Sequence, residues 1–157
     1  MKKLLLLILV TTGACSLTQN TSNTYHKEIS PEIVHYVSDN TEKSDAPFSD
    51  ATIVNNVIYI AGQIGRVPGT RKVVAGGIRE ETKQAMKNVQ TIVSTLGSSM
   101  DKVFKCTCML ADISEWEAMS EEYKTFFKQE KRPSRSAFAT TGLALGAKVE
   151  IECWAVK

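Results

Sequence analysis

Two residues in the C-terminal third, Arg135 and Glu150, have side chains suited to work on a small carboxylic acid. Arg135 stands in Lys131-Arg132-Pro133-Ser134-Arg135-Ser136, and Glu150 in the alternating run from Lys148 to Ala155. A guanidinium presents a rigid planar fork that matches a carboxylate, and a glutamate can align a water molecule and take its proton. Spacing alone does not bring the two together, and on spacing a surface ion pair explains them better than catalysis. Other chemistries find less support. The histidines, His26 and His35, both lie toward the N-terminus, so no Ser/His/Asp arrangement can be defended. Gly62-Gln63-Ile64-Gly65 lacks the Gly-Lys-Ser/Thr ending of a phosphate loop and the glycine spacing of a dinucleotide site.

The cysteines are Cys15, Cys106, Cys108 and Cys153. Cys106 and Cys108 share one face of an expected strand, where extended backbone keeps them from closing on each other. Without a second Cys/His cluster, C-x-C is a weak metal signal. Buried structural thiols are the favoured reading. A disulfide from Cys153 to one of the pair, and metal or redox work, stand behind it.

The elements that must position Arg135 and Glu150 follow from periodicity. Pro31 to Val37 reads as an edge strand, and Ala51 to Val54 with Val57 to Ala61 flank a tight turn at Asn55-Asn56. Gly62 to Gly77 is a glycine-bearing loop with a short strand at Lys72 to Val74. From Ile78 the period becomes helical: Ile78, Thr82, Ala85, Val89, Ile92, Val93 and Leu96 form one face, with Glu80, Glu81, Lys83, Lys87 and Gln90 elsewhere and Gly97 as the stop. Val103 to Leu110 is a strand. Ser114 and Glu117 have capping-box spacing for a second helix carrying Met119, Tyr123 and Phe126, with Trp116 at its entry. Pro133 breaks the helix, Ser136 to Ala139 is extended, and the last strand alternates Val149, Ile151, Cys153 and Ala155 with Glu150, Glu152 and Trp154. One sheet face should meet the helices. The face bearing Glu150, Glu152 and Trp154 is expected to lie in a subunit interface with a cleft for a working carboxylate.

Residues 31–157 suffice for one domain. Ahead of it stand Lys2-Lys3, the apolar run Leu4–Val10 and the small-residue stretch Thr11 to Ala14 before Cys15. This is a secretory leader too short to remain as a membrane span. It resembles a bacterial lipoprotein signal over residues 1–14, which makes Cys15 the lipid-attachment residue and 15–30 a polar tether. The expected address is the cell envelope, lipid-anchored at the outer membrane or a periplasmic face, with secretion if Cys15 carries no lipid. Losing Lys2 and Lys3 takes the formal charge from +2 to about zero. No basic field or run then invites nucleic acid.

Several separated blocks resemble one family. Ala46-Pro47-Phe48-Ser49-Asp50-Ala51, Ile58-Tyr59-Ile60-Ala61-Gly62-Gln63-Ile64, Pro133-Ser134-Arg135-Ser136 and Val149-Glu150-Ile151-Glu152, with Asn88-Val89, Val103-Phe104-Lys105 and Tyr123-Lys124-Thr125-Phe126-Phe127 between them, are similar in order and spacing to the reactive intermediate deaminase (RidA) family of enamine and imine deaminases. The likeness spans most of residues 43–157. It implies an α+β, chorismate-mutase-like subunit, a mixed sheet backed by two helices, and a barrel-like homotrimer with sites between neighbours. It also implies that Arg135 grips the substrate carboxylate, that Glu150 positions the attacking water, and that backbone near Gly62 and Ala137 orients the substrate, without any metal or cofactor. Phe48 stands where catalytic members often have tyrosine, Ser120 where they often have asparagine, and Ala137 where many have cysteine. The implied activity is hydrolysis of small 2-imino or enamine acids. A small-carboxylate sensor and a chaperone-like surface protein are the alternatives.

Overall fold

The computed structural model describes residues 30–38 and 46–157. Residues 1–29, with the leader, Cys15 and nearly all of the tether, lie outside that range. Six strands build one sheet: β1 (Ile33–Tyr36), β2 (Ala51–Val54), β3 (Val57–Ile64), β4 (Val103–Leu110), β5 (Ser134–Ala139) and β6 (Val149–Val156). Their order is β1-β2-β3-β6-β4-β5. The β4–β5 pair is parallel and the other pairs are antiparallel, so the sheet is mixed, as the family likeness implies. The β2–β3 hairpin turns at Asn55, whose φ of 54° is a conformation asparagine tolerates.

Helices α1 (Gly77–Thr95) and α2 (Trp116–Tyr123) cover one sheet face. Val149, Ile151, Cys153 and Ala155 of β6 are buried there with Ile58 and Ile60 of β3 and Cys108 and Leu110 of β4. Ala85, Met86, Val89 and Val93 of α1 and Met119 of α2 close over them. Burying each large aliphatic side chain stabilises by about 1.5–3 kcal/mol, against about 0–1 kcal/mol for an exposed ion pair, so this layer holds the subunit. Past α1, Gly97 adopts φ 79° and ends the helix where its glycine signal stands.

Four expectations change. Cys106 and Cys153 are not buried thiols: they sit directly opposite each other across β4 and β6 and are disulfide-bonded. Spacing showed the C-x-C pair on one strand but not which strand would lie beside it. Cys108 remains free, and burial pushes its thiol up to about 11, away from thiolate chemistry. Glu81 is not on the outer face of α1 but buried, where a carboxylate oxygen accepts the backbone N–H of Lys148 at 2.7 Å. Ser114 does not cap through its hydroxyl; the Asp112 carboxylate accepts its N–H at 2.8 Å, in a short turn that leads into α2 at Trp116. Finally, β1 is shorter than expected, and β3 runs on to Ile64.

Candidate active site

The Glu150 environment is built by an irregularity in β3. Ile60 pairs with Cys153 and Gln63 with Ile151, so β3 carries one extra residue over this interval, a bulge at Ala61-Gly62. The Gln63 side-chain amide donates to the Ala61 carbonyl at 2.9 Å and closes the irregular stretch on itself. The Glu150 side chain then lies across Gly62. A Cβ on Gly62 would fall 1.9 Å from Glu150 Oε1, so only glycine leaves this space to the carboxylate.

Phe48, Gly62 and Glu150 line one cavity of about 410 Å³ with Arg66, Arg71, Leu145 and Asn88 of α1, and Glu150, alternating with the buried Val149 and Ile151, enters it from the sheet face away from the helices. Burial, and secondarily the charge of Glu152, hold the Glu150 carboxyl above the ordinary glutamate range. Among the described residues no hydrogen-bond donor engages it. A carboxylate so placed is poised to accept a proton from water.

Arg135 belongs to the other side of the sheet. On β5 it pairs in register with Cys106, on the face the helices cover. Its guanidinium carbon lies 5.0 Å from the Tyr123 ring centroid and 5.3 Å from that of Trp116, both on α2. Nη1 lies 4.0 Å from the Met119 sulfur, and among the described residues no carboxylate pairs with it. The surface ion pair with Glu150 suggested by spacing is therefore absent. Arg135 is displaced from Glu150 by two strand spacings, about 10 Å, and by three residues along the strand, about 10 Å more.

Ala137 follows Arg135 on β5, facing the same way, and Ser120 sits on α2 with its hydroxyl buried and unpartnered, as is that of Tyr123. The six expected site residues thus divide. Phe48, Gly62 and Glu150 share a cavity; Arg135, Ala137 and Ser120 form a second group around β5 and α2.

Sequence reading missed four contributors. Asn88 of α1 donates from Nδ2 to the carbonyls of Ile64 (3.2 Å) and Arg66 (3.0 Å), fixing the cavity wall, and its own Oδ1 accepts from Gln84 at 2.8 Å. An amide among the apolar positions of a helix was the available signal. Leu145, at φ 57°, adds an apolar rim from a left-handed conformation that leucine rarely takes, and nothing in its sequence context announced it. Arg66 and Arg71 stand in the glycine-bearing stretch from Gly62 to Gly77, where no period gives a side-chain direction. Among the described residues no group of three or more His, Cys, Asp or Glu side chains is gathered as a metal would require.

The family described as Endoribonuclease L-PSP matches residues 39–157. The human protein named 2-iminobutanoate/2-iminopropanoate deaminase is 40% identical over 111 residues, covering 71% of this chain and 80% of the relative. The rat protein of the same name is 41% identical, covering 70% and 80%. Among solved structures, YyfA of the conserved Rid family from Yersinia pestis superposes with a TM-score of 0.74 at 29% identity, covering 80% of this chain and 100% of that one. With this match over residues 39–157 and relatives named as imine deaminases, the chain belongs to the Endoribonuclease L-PSP family, the family of RidA reactive intermediate deaminases.

Proposed function

We propose that this protein hydrolyses small 2-imino acids and their enamine tautomers to 2-oxo acids and ammonium, at sites completed between the copies of a homotrimer. The observation that carries the reading is the division of the site. Each chain presents a Glu150 cavity on the open face and an unpaired Arg135 on the edge strand β5, where a neighbouring copy can reach it. Tyr59, Phe104 and Phe138 are exposed, with the Tyr59 and Phe104 rings packed edge-on against Trp154 at 5.0 and 6.4 Å. Contact between copies would cover this apolar surface.

The protonated imine carbon is electrophilic. Arg135 of one copy holds the carboxylate, while Glu150 of the next aligns water and takes one of its protons as oxygen bonds to that carbon. Glu150 then returns that proton to the amino nitrogen, and the C–N bond breaks with its electrons going to nitrogen, so that ammonia leaves. The hydroxyl proton is given up as the carbonyl forms and is taken by the ammonia as ammonium. The endoribonuclease in the family description fits this cavity less well. Among the described residues Glu150 is its one side chain able to move a proton at neutral pH, and the volume suits a small acid rather than a nucleotide strand.

The test is ammonium release from freshly generated 2-iminopropanoate and 2-iminobutanoate. The purified protein should exceed the protein-free rate and scatter light as three subunits. A rate equal to the spontaneous one for both substrates, in a confirmed trimer, refutes the assignment. Phe48 in place of tyrosine is what favours a second reading, a sensor that binds small acids without turnover. That reading predicts Arg135-dependent binding with no excess ammonium.

For location, we propose anchoring in the cell envelope through a lipid on Cys15. The Cys106–Cys153 disulfide supports an oxidising compartment, because cytosolic reductants keep such thiols reduced. Cys15→Ser should release the protein from the membrane fraction or stall its processing; an intact mass showing an unmodified, soluble wild-type chain would remove the anchor.

A further inference from the structure

We infer that the Arg66 and Arg71 side chains form a second anion subsite in the Glu150 cavity, so that the preferred substrates are 2-imino dicarboxylic acids. The inference rests on the deaminase reading and names the substrate class it leaves open. The ionisable side chains lining the cavity are Arg66, Arg71 and Glu150, two cations to one carboxylate. Arg135, in the other half-site, already answers the carboxylate common to all 2-imino acids. A substrate with no second charge leaves the cavity with a cation in excess of its one carboxylate.

These are not two cations on a loose loop. Arg66 bridges to Val73 as an isolated antiparallel pair, and Asn88 holds the Arg66 carbonyl at 3.0 Å. Val67 N–H donates to the Lys72 carbonyl at 2.9 Å, and Val74 N–H to the Gly65 carbonyl at 2.9 Å. Gly69, at φ 75°, makes the turn between them. The Thr70 hydroxyl, next to Arg71, donates to the Val67 carbonyl at 3.0 Å and accepts the Lys72 N–H at 3.1 Å. The result is a small hairpin held to α1 through Asn88 that places Arg66 and Arg71 together in the lining of the cavity.

Neither guanidinium has an ion-pair or hydrogen-bond partner among the described residues. Arg66 is half-buried and Arg71 exposed, so the pair spans the wall from its inner part to its mouth. Guanidiniums suit a carboxylate at the far end of a short chain, since each can supply two parallel N–H donors. The room also exceeds the need of a three-carbon imine: about 410 Å³ falls within the range of sites that enclose drug-sized ligands.

The products of the reaction are stable, so binding can be read apart from turnover. Calorimetry on the full-length protein compares 2-oxoglutarate with 2-oxobutanoate, and inorganic phosphate competes against each. The dicarboxylate should bind about 10-fold more tightly or better, as charge-assisted contacts allow. Arg66→Gln/Arg71→Gln should bring the ratio close to one, and Arg71→Lys should leave an intermediate ratio.

Equal affinities for the two acids in the wild-type protein overturn the inference, and need no variant to do so. Phosphate displacing 2-oxoglutarate as well as a second dicarboxylate does overturns it too, since the wall would then be a general anion patch. Ammonium release from 2-iminoglutarate and 2-iminobutanoate separates the two levels. Turnover of both without a dicarboxylate preference in binding removes the subsite and keeps the deaminase. A binding preference without turnover of either keeps the subsite and removes the deaminase.

Discussion

Replacing Arg135 by alanine is expected to lower kcat/KM for 2-iminopropanoate by about 10- to 150-fold, the value of a charge-assisted hydrogen bond of roughly 1.5 to 3 kcal/mol expressed in the transition state. The guanidinium is held ready for this. Tyr123 and Trp116 offer their ring faces at 5.0 and 5.3 Å and restrict its swing, while leaving its in-plane N–H donors for a ligand. Such stacking contributes about 0.5–1 kcal/mol at sites that are not fully desolvated, so the alanine variant should still fold and assemble, with a modest fall in Tm. Arg135→Lys should recover only a minor part of the rate, because an ammonium keeps the charge but not the planar fork. Light scattering and Tm for each variant separate lost binding from lost assembly. Wild-type kinetics for Arg135→Ala would show that the substrate carboxylate is held elsewhere.

The parts of this fold legible in sequence were those with an unbroken period. β6 alternates from Val149 to Val156, its buried set is the one alternation predicts, and α1 departs from its expected start by one residue. The failures share a cause, since they depend on which elements become neighbours. Cys106 and Cys153 are far apart in sequence and directly opposed in the sheet. Glu81 looks like a solvent residue until the Lys148 N–H is brought to it. Side-chain chemistry singled out Arg135 and Glu150, and the family likeness added Phe48, Gly62, Ser120 and Ala137. Arg135 and Glu150 were named, but nothing in their spacing says that one faces the helices and the other the open side. That follows from the parallel β4–β5 pairing, which aligns Arg135 with Cys106. Arg66 and Arg71 escaped notice because a glycine-bearing loop gives no period from which to read direction.

Glu150→Gln should give a larger loss, about 100-fold or more in kcat, in line with the 10²–10⁴ that general acid–base catalysis contributes. Glutamine keeps the shape of the side chain over Gly62 and removes the proton acceptor. The pH profile makes the assignment specific. Protonating Glu150 disables the base, so the rate should rise with pH through its pKa. Burial first, and the Glu152 charge second, lift that pKa above the ordinary 4.5, so the acid limb should lie at higher pH than an exposed glutamate would give. The same shift makes the folded state the better proton binder across that window, and stability should therefore fall, not rise, as pH climbs through it. Glu152→Gln removes the smaller cause and should move the limb toward lower pH without abolishing it. Gly62→Ala tests the geometry from the backbone side. Its Cβ would stand 1.9 Å from Glu150 Oε1, so the flexible carboxylate must swing aside while the bulge persists. The variant should fold, lose activity nearly as fully as Glu150→Gln, and show no further loss when the two changes are combined. An acid limb that survives in Glu150→Gln would move the base to another group and leave Glu150 with a positioning role.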